Sequence, residues 1–176
     1  MTNPVVTTTR MDIGPCQLLF GGDDLGGTLD NVVVNFKYEK APLMADQFGK
    51  TLLDEAISGM EVTIETSITQ VRAKQLLSGI FKSAIVGGTD PADYLDFKNR
   101  VPLRQLPLAD ELTLHPIVED AADKNYDWTF FKAMPSEESS YTFSPSEQGK
   151  MKIVWKVYLD QTVSPARMFR YGDKTL

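Results

Sequence analysis

The residues that could carry out chemistry in this chain are few and lie far apart. His115 is the only histidine and Cys16 the only cysteine among the 176 residues. A general base or a metal site needs partner side chains, and the alternating segment around His115, with a proline directly after it, offers none. A lone cysteine excludes an intrachain disulfide and a cysteine metal cluster. We therefore expect structural roles for both residues, with Cys16 packed as a small apolar side chain.

A glycine-rich stretch, GGDDLGG at residues 21–27, is the second candidate for chemistry. Loops that cradle phosphates carry a lysine and a serine or threonine between a strand and a helix, and this stretch has none of these. Asp23, Asp24 and Asp30 could offer oxygen ligands to calcium, but the EF-hand spacing and its closing glutamate are missing. The stretch is interpreted as a turn, and we expect no metal, no cofactor and no enzymatic activity.

The overall composition indicates an ordinary globular chain. Hydrophobic residues make up 42% and charged residues 24%, and the net charge is −6. An acidic chain of this kind has no general attraction for nucleic acid or anionic membranes. The first ten residues lack the apolar core of a signal peptide, and no apolar run reaches the roughly 18 residues of a membrane helix. We expect a soluble protein made in the cytoplasm, without a membrane partner.

Alternation of apolar and polar residues predicts strands along most of the chain. The pattern is clearest in MEVTIETSI and in the last strand, where every second residue is apolar. Pro116 is expected to place its strand at a sheet edge or a bulge. The predicted strands are residues 16–20, 31–39, 60–68, 111–118, 126–134, 141–143 and 149–160.

The period changes after residue 68. Val71, Leu76 and Ile80 repeat at helical spacing and Thr69 is a suitable N-cap, so a helix of about three turns is predicted around residues 70–80. Residues 1–14 are rich in threonine and lack periodicity, which predicts a flexible N-terminal arm before a single domain over residues 15–176. The fold class that follows is mainly β, a β-sandwich or open barrel flanked by one α-helix.

Two of the predicted strands are regular enough to assign a register. An antiparallel pairing of residues 31–39 with residues 60–68 keeps polar side chains together, whereas a slip of one residue would set them against the apolar face. The predicted register places Lys37 opposite Glu61, Asn35 opposite Thr63, and Phe36 opposite Val62.

The segment between these two strands, KAPLMADQFGKTLLDEAISG at residues 40–59, is too apolar for a solvated loop. Pro42 and Gly49 interrupt any continuous helix. Loops longer than about 12–15 residues in compact domains are usually functional or disordered, and the apolar content argues against disorder. Taken by themselves, the residues favour an amphipathic turn and hairpin that folds onto its own domain.

Three stretches together resemble a known protein family. GPCQLLFGGDDLGGTLDNVVVNFKYE (residues 14–39) contains a short strand, a glycine-rich turn around DLG and an alternating strand. ADQFGKTLLDEAISGMEVTIETSI (residues 45–68) contains an Asp-x-x-Gly loop and a second strand, and TQVRAKQLL (residues 69–77) is the helix that follows. This series resembles the tail tube, or major tail, proteins of tailed bacteriophages, especially the long-tailed type. The resemblance covers residues 14–81, whereas residues 120–150 depart from it.

The resemblance implies a structural protein whose activity is self-assembly. Subunits of this family are β-sandwiches flanked by a helix; six form a ring, and the rings stack into a tube through which DNA passes without specific binding. A long hairpin loop reaches across to a neighbouring subunit, and residues 40–59 occupy its place here. The resemblance therefore implies an inter-subunit role for Leu43, Met44, Asp46, Phe48, Leu52, Leu53 and Ile57.

The same family places its inner sheets around the DNA channel. An acidic or neutral wall would let DNA slide, because a basic wall would bind the phosphates. The polar face of the two paired strands is the candidate wall, although an ordinary solvent face of a sheet has the same pattern. The candidate channel-lining residues are Asn35, Lys37, Glu61, Thr63, Glu65 and Ser67.

The implied partners are further copies of this chain and other tail proteins, such as the tape measure and terminator proteins. The implied location is the virion tail, after assembly in the host cytoplasm. One alternative is another ring-forming tail protein, a terminator or a baseplate hub. A different class is a monomeric β-sandwich module that binds carbohydrate or protein, which exposed aromatic residues near Trp128 or Trp155 would favour. Trp155 lies on an alternating apolar face, so we expect it in the core.

Overall fold

The computed structural model describes residues 15–26, 28–44, 51–69, 84–87, 94–97, 104–136, 139–144, 146 and 148–174. The predicted N-terminal arm and the predicted helix lie outside these ranges, and the described residues contain no α-helix. A 3₁₀ turn spans Leu106–Leu108. The strands are β1 (Cys16–Phe20), β2 (Asp23–Asp24), β3 (Val33–Met44), β4 (Leu52–Ile68), β5 (Ala84–Gly87), β6 (Tyr94–Phe97), β7 (Asp110–Pro116), β8 (Trp128–Pro135), β9 (Ser140–Thr142), β10 (Lys150–Val157) and β11 (Phe169–Tyr171).

Nine of these strands form one antiparallel sheet. Its order is β2-β1-β7-β8-β10-β4-β3, while β11 pairs with β8 and β9 pairs with β10. Strands β5 and β6 pair separately. The prediction of a mainly β fold is therefore confirmed, and most of the described core belongs to a single sheet.

The sheet curls on itself around this core. In a flat sheet, β1 and β10 would lie about 14 Å apart, because β7 and β8 separate them. The ring centroids of Phe20 on β1 and Trp155 on β10 are nevertheless 4.8 Å apart. Thr28 bridges to Ile68 at the end of β4, and its hydroxyl donates to the carbonyl oxygen of Cys16 at 3.2 Å. The fully buried core side chains include Leu18, Val62, Ile64, Leu112, Phe130 and Ile153.

The predicted alternation is confirmed in β10 and in β4 from Glu61 to Glu65, whereas Thr66, Ser67 and Ile68 at the end of β4 are all buried. Val62 and Ile64 of β4 are buried, while Glu61, Thr63 and Glu65 on either side of them are partly exposed. Strand β10 buries its alternate residues Met151, Ile153, Trp155 and Val157.

The predicted register between β3 and β4 is also confirmed. Lys37 pairs with Glu61, Asn35 with Thr63, and Phe36 with Val62. Both strands continue beyond the predicted bounds, to Met44 in β3 and back to Leu52 in β4, with register shifts at Glu39/Lys40 and Leu43/Met44.

Pro42 and Pro116 both belong to strands of the sheet. Pro42 does not break its segment, because β3 is at one edge of the described sheet, where a missing N–H donor is tolerated. The expectation that Pro116 marks an edge strand or a bulge is wrong, since β7 lies between β1 and β8 and its register shift lies at its other end. Pro116 is the last residue of β7, so its missing N–H falls where the ladder ends.

Candidate assembly surface

The far end of the β3–β4 hairpin is an exposed two-stranded ribbon. We define the hairpin arm as residues 40–44 of β3 and residues 52–58 of β4, all of which are exposed. Its apolar side chains are between 49% and 66% exposed. At about 3.3 Å per residue, the five residues beyond Glu39 extend roughly 16 Å. The exposed apolar side chains of the arm are Leu43, Met44, Leu52, Leu53 and Ile57.

The hairpin arm has little to stabilise it apart from its own ladder. Lys40 Nζ lies 2.9 Å from Glu55 Oε2, an ion pair between two exposed side chains. Exposed pairs of this kind contribute at most about 1 kcal/mol. An isolated two-stranded ribbon is marginally stable in water. The arm therefore presents apolar side chains that no described residue covers. Asp46 and Phe48, predicted for the same contact, lie outside the described residues.

The outward side of β3, β4 and β10 carries a network of ion pairs. Glu61 lies 3.1 Å from Lys156 and 3.9 Å from Lys37. Glu65 lies 2.6 Å from Lys152 and accepts a hydrogen bond from the Asn35 amide at 3.4 Å. We call this network, together with Thr63, the charged face.

The lysines of β10 set the electrostatics of the charged face. A hydrogen bond from Lys156 lowers the pKa of Glu61 below its ordinary value, and the positive charge of Lys156 acts in the same direction. A hydrogen bond from Lys152 lowers the pKa of Glu65 in the same way. Three lysines thus face two glutamates, which leaves a formal net charge of +1 on the charged face.

The structure changes the membership of this face in two respects. Ser67 is only 8% exposed, so it does not belong to the exposed charged face. Lys152 and Lys156, which sequence reasoning left out, do belong to it. Their outward position follows from the alternation of β10, but their contact with the glutamates follows only from the pairing of β10 with β4.

The aspartates considered as calcium ligands do not form a common site in the described part of the chain. Asp24 accepts hydrogen bonds from Gln17 and from the N–H of Gly26, and Asp30 lies 2.7 Å from Lys150. No cluster of acidic, histidine or cysteine side chains in the described part of the chain could hold a metal ion. None of the described segments is a helix long and apolar enough to span a membrane.

His115 has a partner that the sequence did not reveal. Its Nδ1 lies 2.6 Å from Oδ1 of Asp127, and both side chains are buried. Asp127 follows β7 after a turn-rich connection, and nothing in its spacing distinguishes it from the neighbouring aspartates.

The two tryptophans occupy different environments. Trp155 is fully buried, as expected, and packs on Phe20. Trp128 is partly buried and packs against Tyr171 with ring centroids 4.8 Å apart. It also lines a cavity of about 590 Å³ with Tyr126 and Cys16.

Comparisons with known proteins find similarity among solved structures. No family model matches the sequence, and no curated protein matches it either. Among solved structures, the chain is similar to the crystal structure of the SPP1 Dit (gp 19.1) protein, described as a paradigm of the hub adsorption apparatus in phages that infect Gram-positive bacteria. The TM-score is 0.31 and the sequence identity 11%, over 80% of this chain and 49% of that chain. This chain therefore spans about half the length of that protein.

Proposed function

We propose that this chain is a tail tube subunit of a long-tailed bacteriophage, a structural protein that assembles into rings, six subunits in each, which stack into a tube. The observation that carries the proposal is the hairpin arm, whose apolar side chains are exposed on a ribbon projecting from the sheet. The sequence resemblance over residues 14–81 supports the same function. The proposed partners are further copies of the chain together with tape measure and terminator proteins, in the virion tail.

Burial of the hairpin arm on a neighbouring subunit would drive this assembly. Fully burying a large apolar side chain contributes about 1.5–3 kcal/mol, and the arm carries five that are at least 49% exposed. Docking an arm onto a different surface of the next copy is a heterologous contact, which closes into a ring when the rotation permits.

The charged face is proposed to line the channel of the tube. Its glutamates are each paired with lysines, so the wall would present no strong field of either sign to passing DNA. Binding to DNA depends on neutralising phosphates with unpaired cations, and the lysines here already contact carboxylates. The proposed lining residues are Asn35, Lys37, Glu61, Thr63, Glu65, Lys152 and Lys156.

Negative-stain electron microscopy and size-exclusion chromatography test the proposal. The unmodified chain should form rings and tubes, and the double variant Leu52→Ser, Ile57→Ser should remain dispersed. A matched control is Ile117→Ser, Val118→Ser, which removes two equally exposed apolar side chains outside the arm and should leave assembly intact.

Two other outcomes would assign the chain differently. Single rings that never stack would favour a terminator or a baseplate hub over a tube protein. Dispersed particles at every concentration would contradict self-assembly and favour a monomeric binding module.

A further inference from the structure

A β-bulge lies at the base of the hairpin arm. Glu39 pairs with Gly59, whereas the next residue, Lys40, pairs with Ile57, so Ser58 is left out of the register between the two strands. Two residues of one strand that oppose one residue of the other form a bulge of this kind. Beyond it, every residue of the arm is exposed.

The bulge decides on which side of the arm the residues of β4 lie. Side chains alternate along a strand, and directly paired residues lie on the same side of a sheet. We define the core-facing side as the side of the hairpin that carries the paired residues Phe36 and Val62. In the register that precedes the bulge, Ile57 would pair with Ala41, on the side of the charged face. The bulge pairs Ile57 with Lys40 instead, which places its side chain on the core-facing side.

An ion pair in the arm agrees with this change of side. Lys40 Nζ lies 2.9 Å from Glu55 Oε2, so the two side chains share one side of the ribbon. In the bulged register Glu55 pairs with Pro42, two residues from Lys40 and on the same side. Without the bulge, Glu55 would pair with Leu43 on the opposite side. The side-chain contact and the backbone pairing therefore assign the same side.

The bulge gathers large apolar side chains on the core-facing side. Ile57, Met44 and Leu52 lie on this side, and all three are at least half exposed. Tyr38, also half exposed, extends the apolar strip toward Phe36, whose ring packs on that of Phe169. The opposite side of the arm is less apolar, and its paired residues are Ala41, Leu43, Asp54 and Ala56.

The strip is too small to hold a partner through a single contact. From Phe36 to Met44 it is roughly 26 Å long and about 10 Å wide, on the order of 300 Å². A standard interface buries about 800 Å² on each partner. In a closed ring every copy donates one arm and receives another, so each copy makes the contact twice. The area therefore favours further copies of this chain over a single different partner.

We propose that a second copy of this chain packs on the core-facing side of the arm, and that Ser58 is the positioning residue that brings Ile57 to that side. This inference rests on the proposed function and adds the side on which the neighbour lies. The charged face continues along the opposite side of the same hairpin, so it stays uncovered when the arm is engaged.

Two changes of one residue separate the side of the arm from the bulge itself. Deleting Ser58 removes the bulge and keeps Lys40 opposite Ile57, so the apolar side chains stay on the core-facing side. Inserting one alanine between Glu39 and Lys40 gives Ser58 a partner, which also removes the bulge but turns the arm over. In negative-stain electron microscopy, the deletion variant should form rings and tubes, and the insertion variant should remain dispersed.

Two further measurements complete the test. Nuclear Overhauser contacts between Lys40 and Ile57 should persist in the dispersed insertion variant, which would show that its arm is still a paired ribbon. Ile57→Ser should raise the protein concentration needed for assembly at least about tenfold, because a buried apolar side chain is lost from the contact. Leu43→Ser, on the opposite side, should raise that concentration less.

Assembly by both variants, or by neither, would overturn the inference, because the side of the arm would then not decide the contact. Equal effects of Ile57→Ser and Leu43→Ser would contradict it as well. Absence of contacts between Lys40 and Ile57 in the unmodified chain would refute the role of Ser58, whether or not the chain assembles. Failure of the unmodified chain to assemble would instead contradict the proposed function, and with it the partner named here.

Discussion

The indole Nε1 of Trp155 donates a hydrogen bond to the hydroxyl oxygen of Thr66 at 2.8 Å, and both side chains are almost completely buried. Thr66 lies on β4 and Trp155 on β10, and the hydroxyl in turn lies 3.5 Å from the carbonyl oxygen of Ile153. Trp155 also contacts Phe20 across the core. The polar atoms of the two buried side chains thus have hydrogen-bond partners within the core.

Replacing Thr66 with valine should destabilise the fold through this hydrogen bond. Valine keeps the shape of threonine but leaves the indole N–H buried without an acceptor, which costs about 1–3 kcal/mol. Thr66→Ser keeps the hydroxyl and loses one methyl group, at about 0.8 kcal/mol. Urea denaturation should therefore rank the unmodified chain first, Thr66→Ser next and Thr66→Val last. A valine variant as stable as the unmodified chain would contradict this account.

The charged face should make stability depend on acidity. Hydrogen bonds from their lysine partners lower the pKa values of Glu61 and Glu65 in the folded state. Both glutamates therefore stabilise the folded state at pH values above 4.5, which is their ordinary pKa. This contribution is lost as the pH falls below 4.5 and through the lowered pKa of the folded state.

The double variant Glu61→Gln, Glu65→Gln should be less stable than the unmodified chain near pH 7 and should lose less stability on acidification. Denaturation midpoints measured at several pH values check this expectation. Glu111→Gln, exposed on β7 and outside the network, is the matched control and should follow the unmodified chain. Parallel pH profiles for all three proteins would show that the ion pairs contribute nothing to stability.

Cys16 should react slowly with thiol reagents in the folded protein. Burial raises the pKa of its thiol, with a smaller opposing effect from a backbone hydrogen bond. Only the thiolate is nucleophilic, so labelling by Ellman's reagent at pH 8 should be at least about tenfold slower in the folded chain than in urea. Because the chain has one cysteine, the reaction reports a single site. Equal rates in both conditions would mean that Cys16 is freely accessible.

Hydrogen exchange should separate the hairpin arm from the rest of β4. In the dispersed chain, the amides of residues 52–58 should exchange much faster than those of residues 62–66, because the arm is exposed and the latter segment borders the core. Assembly should slow exchange in the arm and leave the core segment unchanged. Arm amides that are equally protected before and after assembly would contradict burial of the arm on a neighbour.

The sequence by itself determined the strands whose burial alternates. In β10, and in β4 from Glu61 to Glu65, every second side chain enters the core, and that period of two is a local property that can be read without knowing the partner strand. The register of β3 on β4 followed from the same alternation, because only one parity matches both apolar faces.

Other features depended on partners distant in the chain. Glu65 meets Lys152 only because β10 lies beside β4, and no local pattern specifies that neighbour. The path of the connection between β7 and β8 brings Asp127 to His115, and the spacing of the two residues in the sequence does not indicate this contact. Strand order also decided where the two prolines lie. Pro42 belongs to the edge strand β3 and Pro116 ends the interior strand β7, and a proline is tolerated wherever its missing N–H faces no partner. Local alternation therefore specified which side chains face inward. Strand order and the curl of the sheet decided which outward-facing side chains contact one another.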